Sequence, residues 1–274
     1  MRTTEAQPQS ETISQYARMP ASLVGALGLA WGALLGWAML WGNLVAGHSS
    51  LPATWGRMGA SLALVAAASA GWFFWRRTSA GRFIGLVALG MALGTLGDFF
   101  NANLLNTVVP LKDPVLGGMI SFGLGHVAYI AACLLAAKDA ALRNRFKQYG
   151  WLTVWLLVAT VGWYGIVYVG ASDQTRALVW PALPYSLLLA STAGFASGLA
   201  AQHRGFVPLA VGAALFFLSD MLLAFGLFRG GFPHSTEFVW LTYSPGQMLI
   251  VFGALAVCPI LAAHRTAHSG GAGG

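Results

Sequence analysis

Long, almost unbroken apolar runs separated by short polar connections set the pattern of this chain. Eight runs, at approximately 21–46, 58–75, 83–101, 114–137, 149–169, 177–200, 206–228 and 238–263, reach the roughly 20 residues that a helix needs to cross a bilayer. They are too long and too uniformly apolar for barrel strands, and open sheets cannot cross lipid with unpaired backbone groups. The pattern predicts an all-α integral membrane protein of eight transmembrane helices. Residues 1–19 read as a polar N-terminal tail without the layout of a cleaved signal peptide. Residues 20–264 read as the transmembrane domain, and 265–274 as a flexible C-terminal tail.

Polar residues inside the runs stand out against that background. Asp220 lies in Leu-Phe-Phe-Leu-Ser-Asp-Met-Leu-Leu-Ala, with no basic residue between Arg204 and Arg229. Asp98 lies in Leu-Gly-Thr-Leu-Gly-Asp-Phe-Phe. A carboxylate at such depth costs about 2.5 kcal/mol or more, so it faces a bundle interior or a wet cavity and is a functional-site candidate by default. His126 and Tyr129 in the fourth run, and Tyr243 and Gln247 in the eighth, are further polar groups at comparable depth, the last two one turn apart on one face. Gly90, Gly94, Asp98 and Asn101 share a face of the third helix, Phe122, His126 and Tyr129 one of the fourth, and Gly212, Phe216 and Asp220 one of the seventh. Small and aromatic residues beside each polar group suit a pocket wall.

Composition sharpens the membrane assignment and removes other classes. Only 8% of the 274 residues are charged, against about 25% in soluble domains. The net charge of +7 comes from basic residues scattered between apolar runs, which argues against a nucleic-acid partner and for topology determinants. Eleven of the 15 Lys and Arg, including Arg76, Arg77, Arg82, Arg143, Arg145 and Lys147, fall in the tails and the even-to-odd connections. Only Arg57, Lys112, Arg176 and Arg229 fall on the other side. Positive-inside bias then puts the N- and C-termini in the cytoplasm. The polar groups fall in the middle and outer layers of a multi-pass protein of the cell membrane.

Several residues have plain packing readings. Cys133 and Cys258 lie in apolar spans and read as unreactive thiols. Gly28, Gly32 and Gly36 in the first helix, and Gly90 and Gly94 in the third, at four-residue spacing read as close-packing stripes, and Trp31, Trp37, Trp41, Trp151 and Trp155 as lipid-facing or interfacial anchors. Glu237 at the start of the eighth helix reads as interfacial. Gly97-Asp98 precedes Gly125-His126 by 28 residues, and Ser219-Asp220 precedes Gly246-Gln247 by 27, compatible with a duplicated 4+4 arrangement.

The sequence resembles the YhhN-type lysoplasmalogenases. The resemblance is carried by Leu-Gly-Asp-Phe-Phe at 96–100, Ser-Phe-Gly-Leu-Gly-His-Val-Ala-Tyr-Ile at 121–130, the 215–224 stretch and Tyr-Ser-Pro-Gly-Gln-Met-Leu-Ile at 243–250. It implies an eight-helix membrane hydrolase acting on the vinyl ether of lysoplasmalogens, with Asp98 and Asp220 as catalytic aspartates. His126, Tyr129, Ser219, Tyr243 and Gln247 would be its pocket residues, and Asn101 joins them from its place on the face of Asp98. The substrate would be a vinyl-ether lysophospholipid drawn from the bilayer. Ser-Pro-Gly between Tyr243 and Gln247 departs from the unbroken helix expected there.

Vinyl ethers hydrolyse by protonation of carbon, giving an oxocarbenium ion that water captures. That chemistry needs one protonated acid and one carboxylate, with no metal or cofactor, and two carboxyls in one low-dielectric site can divide those roles. Two rival readings stay open on the sequence. Asp98, Asp220 and His126 could ligate zinc with an open position for water, though no His-x-x-x-His accompanies them. A small transporter or lipid receptor could use the aspartates as proton-relay or counter-ion groups. No nucleotide-binding loop and no Gly-x-Ser-x-Gly elbow occurs.

Overall fold

The computed structural model describes residues 19–42, 50–105, 108–110 and 113–269, with side chains to residue 263. The described residues hold eight helices long and apolar enough to cross a membrane, and no strand. They are α1 (Ala21–Leu40), α2 (Leu51–Trp75), α3 (Ala80–Asn101), α4 (Pro114–Asp139), α5 (Arg145–Gly162), α6 (Arg176–Ala200), α7 (Val207–Arg229) and α8 (Ser235–Ser269). The predicted tail 1–19 lies outside the described residues except for Met19. α8 runs into the predicted C-terminal tail as far as Ser269, and the remainder of that tail lies outside them as well.

Local chemistry fixes the helix ends. The Ser50 hydroxyl accepts from Ala53 N at 3.3 Å, the Asp113 carboxylate from Val115 N at 3.0 Å and the Asn144 amide oxygen from Lys147 N at 3.0 Å, each satisfying a donor that the first turn leaves free. Pro52 and Pro114 sit in the first turn of α2 and α4, where a missing N–H costs nothing. The Ser50 cap starts α2 at Leu51 rather than near residue 58. Arg57, expected in a connection, is therefore carried inside the helix. At the other end of α5 the backbone widens into a π-helical turn over Trp163–Tyr168. An Arg229 guanidinium N–H donates to the Gly165 carbonyl there.

α8 is the hub: it packs on α7, α2, α3 and α4, while α4 packs on α3 and α6. α1 lies against α2, and α5 against α6, on the periphery. Several helix pairs meet almost backbone to backbone at glycines, two of them involving the helices that carry the aspartates. A Cβ at Gly125 would stand 2.9 Å from the Gly90 carbonyl, joining α4 to α3, and one at Gly212 2.6 Å from the Gly246 carbonyl, joining α7 to α8. α8 stays helical through Pro245 and Pro259, so the expected break before Gln247 does not occur.

Two packing expectations are corrected. Gly32 and Gly36 of α1 face open space, and Gly28 meets only the tip of Phe252. The close approach of α1 to α2 is made instead by Gly56, whose Cβ position lies 3.0 Å from the Leu34 carbonyl. Trp37, Trp41 and Trp151 are between 44 and 49% exposed, as anchors would be. Trp31 and Trp155 turn inward, and their indole N–H groups donate to Ser244 Oγ at 2.9 Å and Ser197 Oγ at 3.1 Å.

Candidate active site

α3 and α7 finish, and α2 and α8 begin, at one end of the bundle, and there their polar groups converge. Ser61, on α2, donates to Asp98 Oδ2 at 2.7 Å. The Tyr243 hydroxyl of α8 lies beside Asp98 on the wall of the same cavity. Behind it stands a relay: Gln247 Nε2 donates to the Tyr243 hydroxyl at 2.8 Å, and the Tyr129 hydroxyl of α4 to Gln247 Oε1 at 3.1 Å. Every donor in this chain points toward Asp98, so each bond polarises the next in the same direction. Gly90 leaves room for the Tyr129 ring, 2.5 Å from where its Cβ would be, and Gly94 for Gln247 Nε2 at 3.0 Å.

Asp220 has a different setting. Its Oδ2 accepts from the Tyr185 hydroxyl of α6. Its Oδ1 has only a 3.5 Å contact from Ser219, whose hydroxyl donates to the Phe216 carbonyl at 2.6 Å. Asp98 is buried, whereas Asp220 is partly open.

Both carboxylates face the same space. A chamber of about 350 Å³ is lined by Asp98, Asp220, Arg57, Asn101, Phe122 and Tyr243 among others. A second space of about 390 Å³ continues from it past Asp220, Asn101 and Phe122, between apolar residues of α4, α6, α7 and α8 such as Met119, Ala182, Leu223 and Leu227. The site thus has a polar chamber and an apolar arm, with Asp220 at their junction and Asp98 in the chamber alone. Phe122, Phe216 and Tyr243 pack edge-on beside it, with ring centroids 5.1 to 6.1 Å apart.

The sequence-selected residues fall into three positions. Asp98, Asp220, Asn101 and Tyr243 line the cavity, and Tyr129 and Gln247 reach it only through the relay to Asp98. Ser219 is wholly buried against its own helix. His126 is 1% exposed, packs against Phe216 at 4.5 Å and shares a 2.9 Å hydrogen bond between Nδ1 and Thr192 Oγ1. It does not line the chamber. No group of three metal-ligating side chains forms among the described residues, and Asp98, Asp220 and His126 do not assemble into the zinc set considered from the sequence.

The residues matched by the YhhN family model run from 56 to 254, from the second turn of α2, which carries Ser61, to beyond Gln247. The chain belongs to the YhhN family. That match covers both aspartates and the whole relay, and leaves α1 outside. No curated protein and no solved structure matches the chain.

In this YhhN-family chain, sequence reasoning missed four residues at the cavity end of the bundle: Ser61 and Tyr185, which donate to the aspartates, and Arg57 and Glu237. Arg57 and Glu237, read as a loop cation and an interfacial acid, are both buried and form an ion pair at 3.4 Å. The signal was available, since an arginine near the start of the second span and a glutamate near the start of the eighth must lie at the same end of the bundle. Tyr185 follows Pro184 inside α6, and nothing in its neighbours marks it.

Proposed function

We propose that this protein is a membrane lysoplasmalogenase, hydrolysing the vinyl ether of a lysophospholipid to a fatty aldehyde and a glycerophospho product. The observation that carries the reading is the pair of aspartates facing one two-part cavity in a YhhN-family chain. The apolar arm suits the alkenyl chain, and the polar chamber the glycerol and head group.

The different surroundings of the carboxyls support a division of labour. Asp220 stands where the chain would leave the arm, so it meets the distal vinyl carbon, and its Oδ1 is the oxygen without a close donor. It acts as the general acid and gives its proton to that carbon. Asp98 accepts from Ser61 and has the Tyr243 hydroxyl beside it in the chamber, a polar setting that suits a carboxylate anion. It faces the carbon bonded to oxygen, where positive charge develops, and stabilises the oxocarbenium ion as water adds. The hemiacetal then collapses, the ether oxygen leaves as the glycerol hydroxyl, and the proton lost by the attacking water restores Asp220. General acid–base help of this kind is worth about 10²–10⁴-fold, and preorganised charge at the cation about as much again.

The concentration of basic residues at the opposite end, Arg76, Arg77, Arg82, Arg143, Arg145 and Lys147 among them, supports cytoplasmic termini and a site in the outer half of the cell membrane. We read the halves as a duplicated four-helix unit. Matching glycine contacts join α3 to α4 and α7 to α8, and each aspartate follows its contact glycine, Gly90 or Gly212, by eight residues.

Aldehyde release from a lysoplasmalogen in detergent tests the assignment. Wild type releases aldehyde whether or not chelator is present, and Asp98→Asn and Asp220→Asn each lose at least about 100-fold in kcat/KM while remaining folded. Loss on chelation would move the chemistry to a metal. Binding without release from any vinyl-ether lysolipid would sink the hydrolase reading in favour of a lipid receptor or transporter.

A further inference from the structure

The polar chamber carries a group that vinyl-ether hydrolysis does not use. Arg57 lines it beside Asp98 and Asp220, yet its side chain is only 6% exposed. One terminal nitrogen reaches Glu237 Oε1 at 3.4 Å, well beyond the 2.7–2.9 Å or so of a tight charge-assisted bond. The guanidinium carbon stands 5.6 Å from the centre of the Trp240 ring. Its Nε is buried and has no hydrogen-bond partner among the described residues. A buried N–H without an acceptor is expensive, and an arginine fork is shaped to take two oxygens of a phosphate.

We propose that Arg57, held in place by Glu237 and Trp240, binds the phosphodiester of the lysophospholipid head group in the polar chamber, an inference that rests on the lysoplasmalogenase reading of the same site. Helix geometry supplies the spacing. Arg57 and Ser61 are four residues apart on α2, so they share a face one turn apart, and Ser61 is the donor to Asp98. The glycerol backbone sets a similarly short separation between ether oxygen and phosphorus. With the phosphate on Arg57, the vinyl ether comes to the carboxylates and the chain runs into the arm. Glu237 compensates the buried cation while the chamber is empty. The 3.4 Å contact from Glu237 goes to a terminal nitrogen of Arg57 and leaves Nε for the ligand.

Two probes that cannot be hydrolysed test this in the full-length protein in detergent: a 1-O-alkyl-glycerophosphoethanolamine and the matching 1-O-alkylglycerol, each titrated against tryptophan fluorescence. Wild type binds the phosphate-bearing probe about tenfold to 100-fold more tightly. Arg57→Gln combined with Glu237→Gln removes both charges together and brings the ratio of affinities close to one. Arg57→Lys keeps the charge without the fork and gives an intermediate ratio. Equal affinities in wild type, or a preference that survives in the folded double variant, overturn the proposal. Aldehyde release from a vinyl-ether substrate, assayed on the same preparations, separates the two readings. Phosphate preference without aldehyde keeps the head-group site and removes the hydrolase, and aldehyde without preference does the reverse.

Discussion

Tyr185 and Ser61 hold the two carboxylates from helices that carry no carboxylate of their own in the site, and their removal has calculable effects. Tyr185→Phe removes the main donor to the anion that Asp220 becomes as it gives up its proton, and should lower kcat about tenfold to 100-fold, the equivalent of one charge-assisted hydrogen bond. Ser61→Ala removes a donor to Asp98 but leaves the Tyr243 hydroxyl beside it in the chamber, and should cost less. Steady-state aldehyde kinetics on both variants check the order, and a Ser61→Ala defect larger than that of Tyr185→Phe would contradict the roles given to the two acids. At this scale the sequence was half legible. Asp98 and Asp220 were visible because hydrocarbon makes a lone carboxylate conspicuous. Tyr185 and Ser61 were not, since a tyrosine or serine in an apolar helix is ordinary. His126 was conspicuous for the same reason as the aspartates, yet its visible partner is Thr192 and the cavity wall does not include it.

Among the elements, glycine spacing marked a true contact on α3, where Gly90 and Gly94 meet Gly125 of α4, and a false one on α1. The 28, 32 and 36 stripe on α1 has the regular spacing of a contact face but meets almost nothing, whereas Gly212 and Gly246, read only as parts of a pocket face and a repeat, bring α7 and α8 together. Spacing reports that a helix could be approached; only the partner's position decides whether it is. Gly212→Ala would put a methyl 2.6 Å from one backbone oxygen and 2.7 Å from the Ile250 nitrogen, neither able to rotate away. A loss of about 1–3 kcal/mol follows from overpacking, seen as a lower melting temperature in detergent. Gly32→Ala, in open space within a helix, should instead be neutral or stabilising by about 0.5–1 kcal/mol. Melting curves of the two variants, taken side by side, decide the point. The span count was legible to within a few residues because length and hydropathy dictate it. The start of α2 was not, since the Ser50 cap and Pro52 extend the helix outward past a charged residue, and that extension is what brings Arg57 into the chamber.

The whole molecule has its cavity at one end and its concentration of basic residues at the other. Cysteine labelling reads the orientation directly, because Cys133 and Cys258 are buried and contribute little background. A cysteine at Asp173, an exposed residue in the α5–α6 connection, should react with an impermeant reagent in intact cells, and one at Arg143 only after permeabilisation. The reverse pattern would turn the protein over and put the cavity at the cytoplasmic face.

Leu223 and Leu227 of α7 belong to the wall of the apolar arm and are 43 and 39% exposed. On the lysoplasmalogenase reading, a lysolipid entering past them comes from the surrounding lipid rather than from water, and the protein meets it in two dimensions. Its rate should then follow the mole fraction of lysolipid in the micelle or bilayer. Adding inert detergent at fixed total substrate slows the reaction by surface dilution, and raising the bulk volume at a fixed lipid ratio leaves the rate per enzyme unchanged.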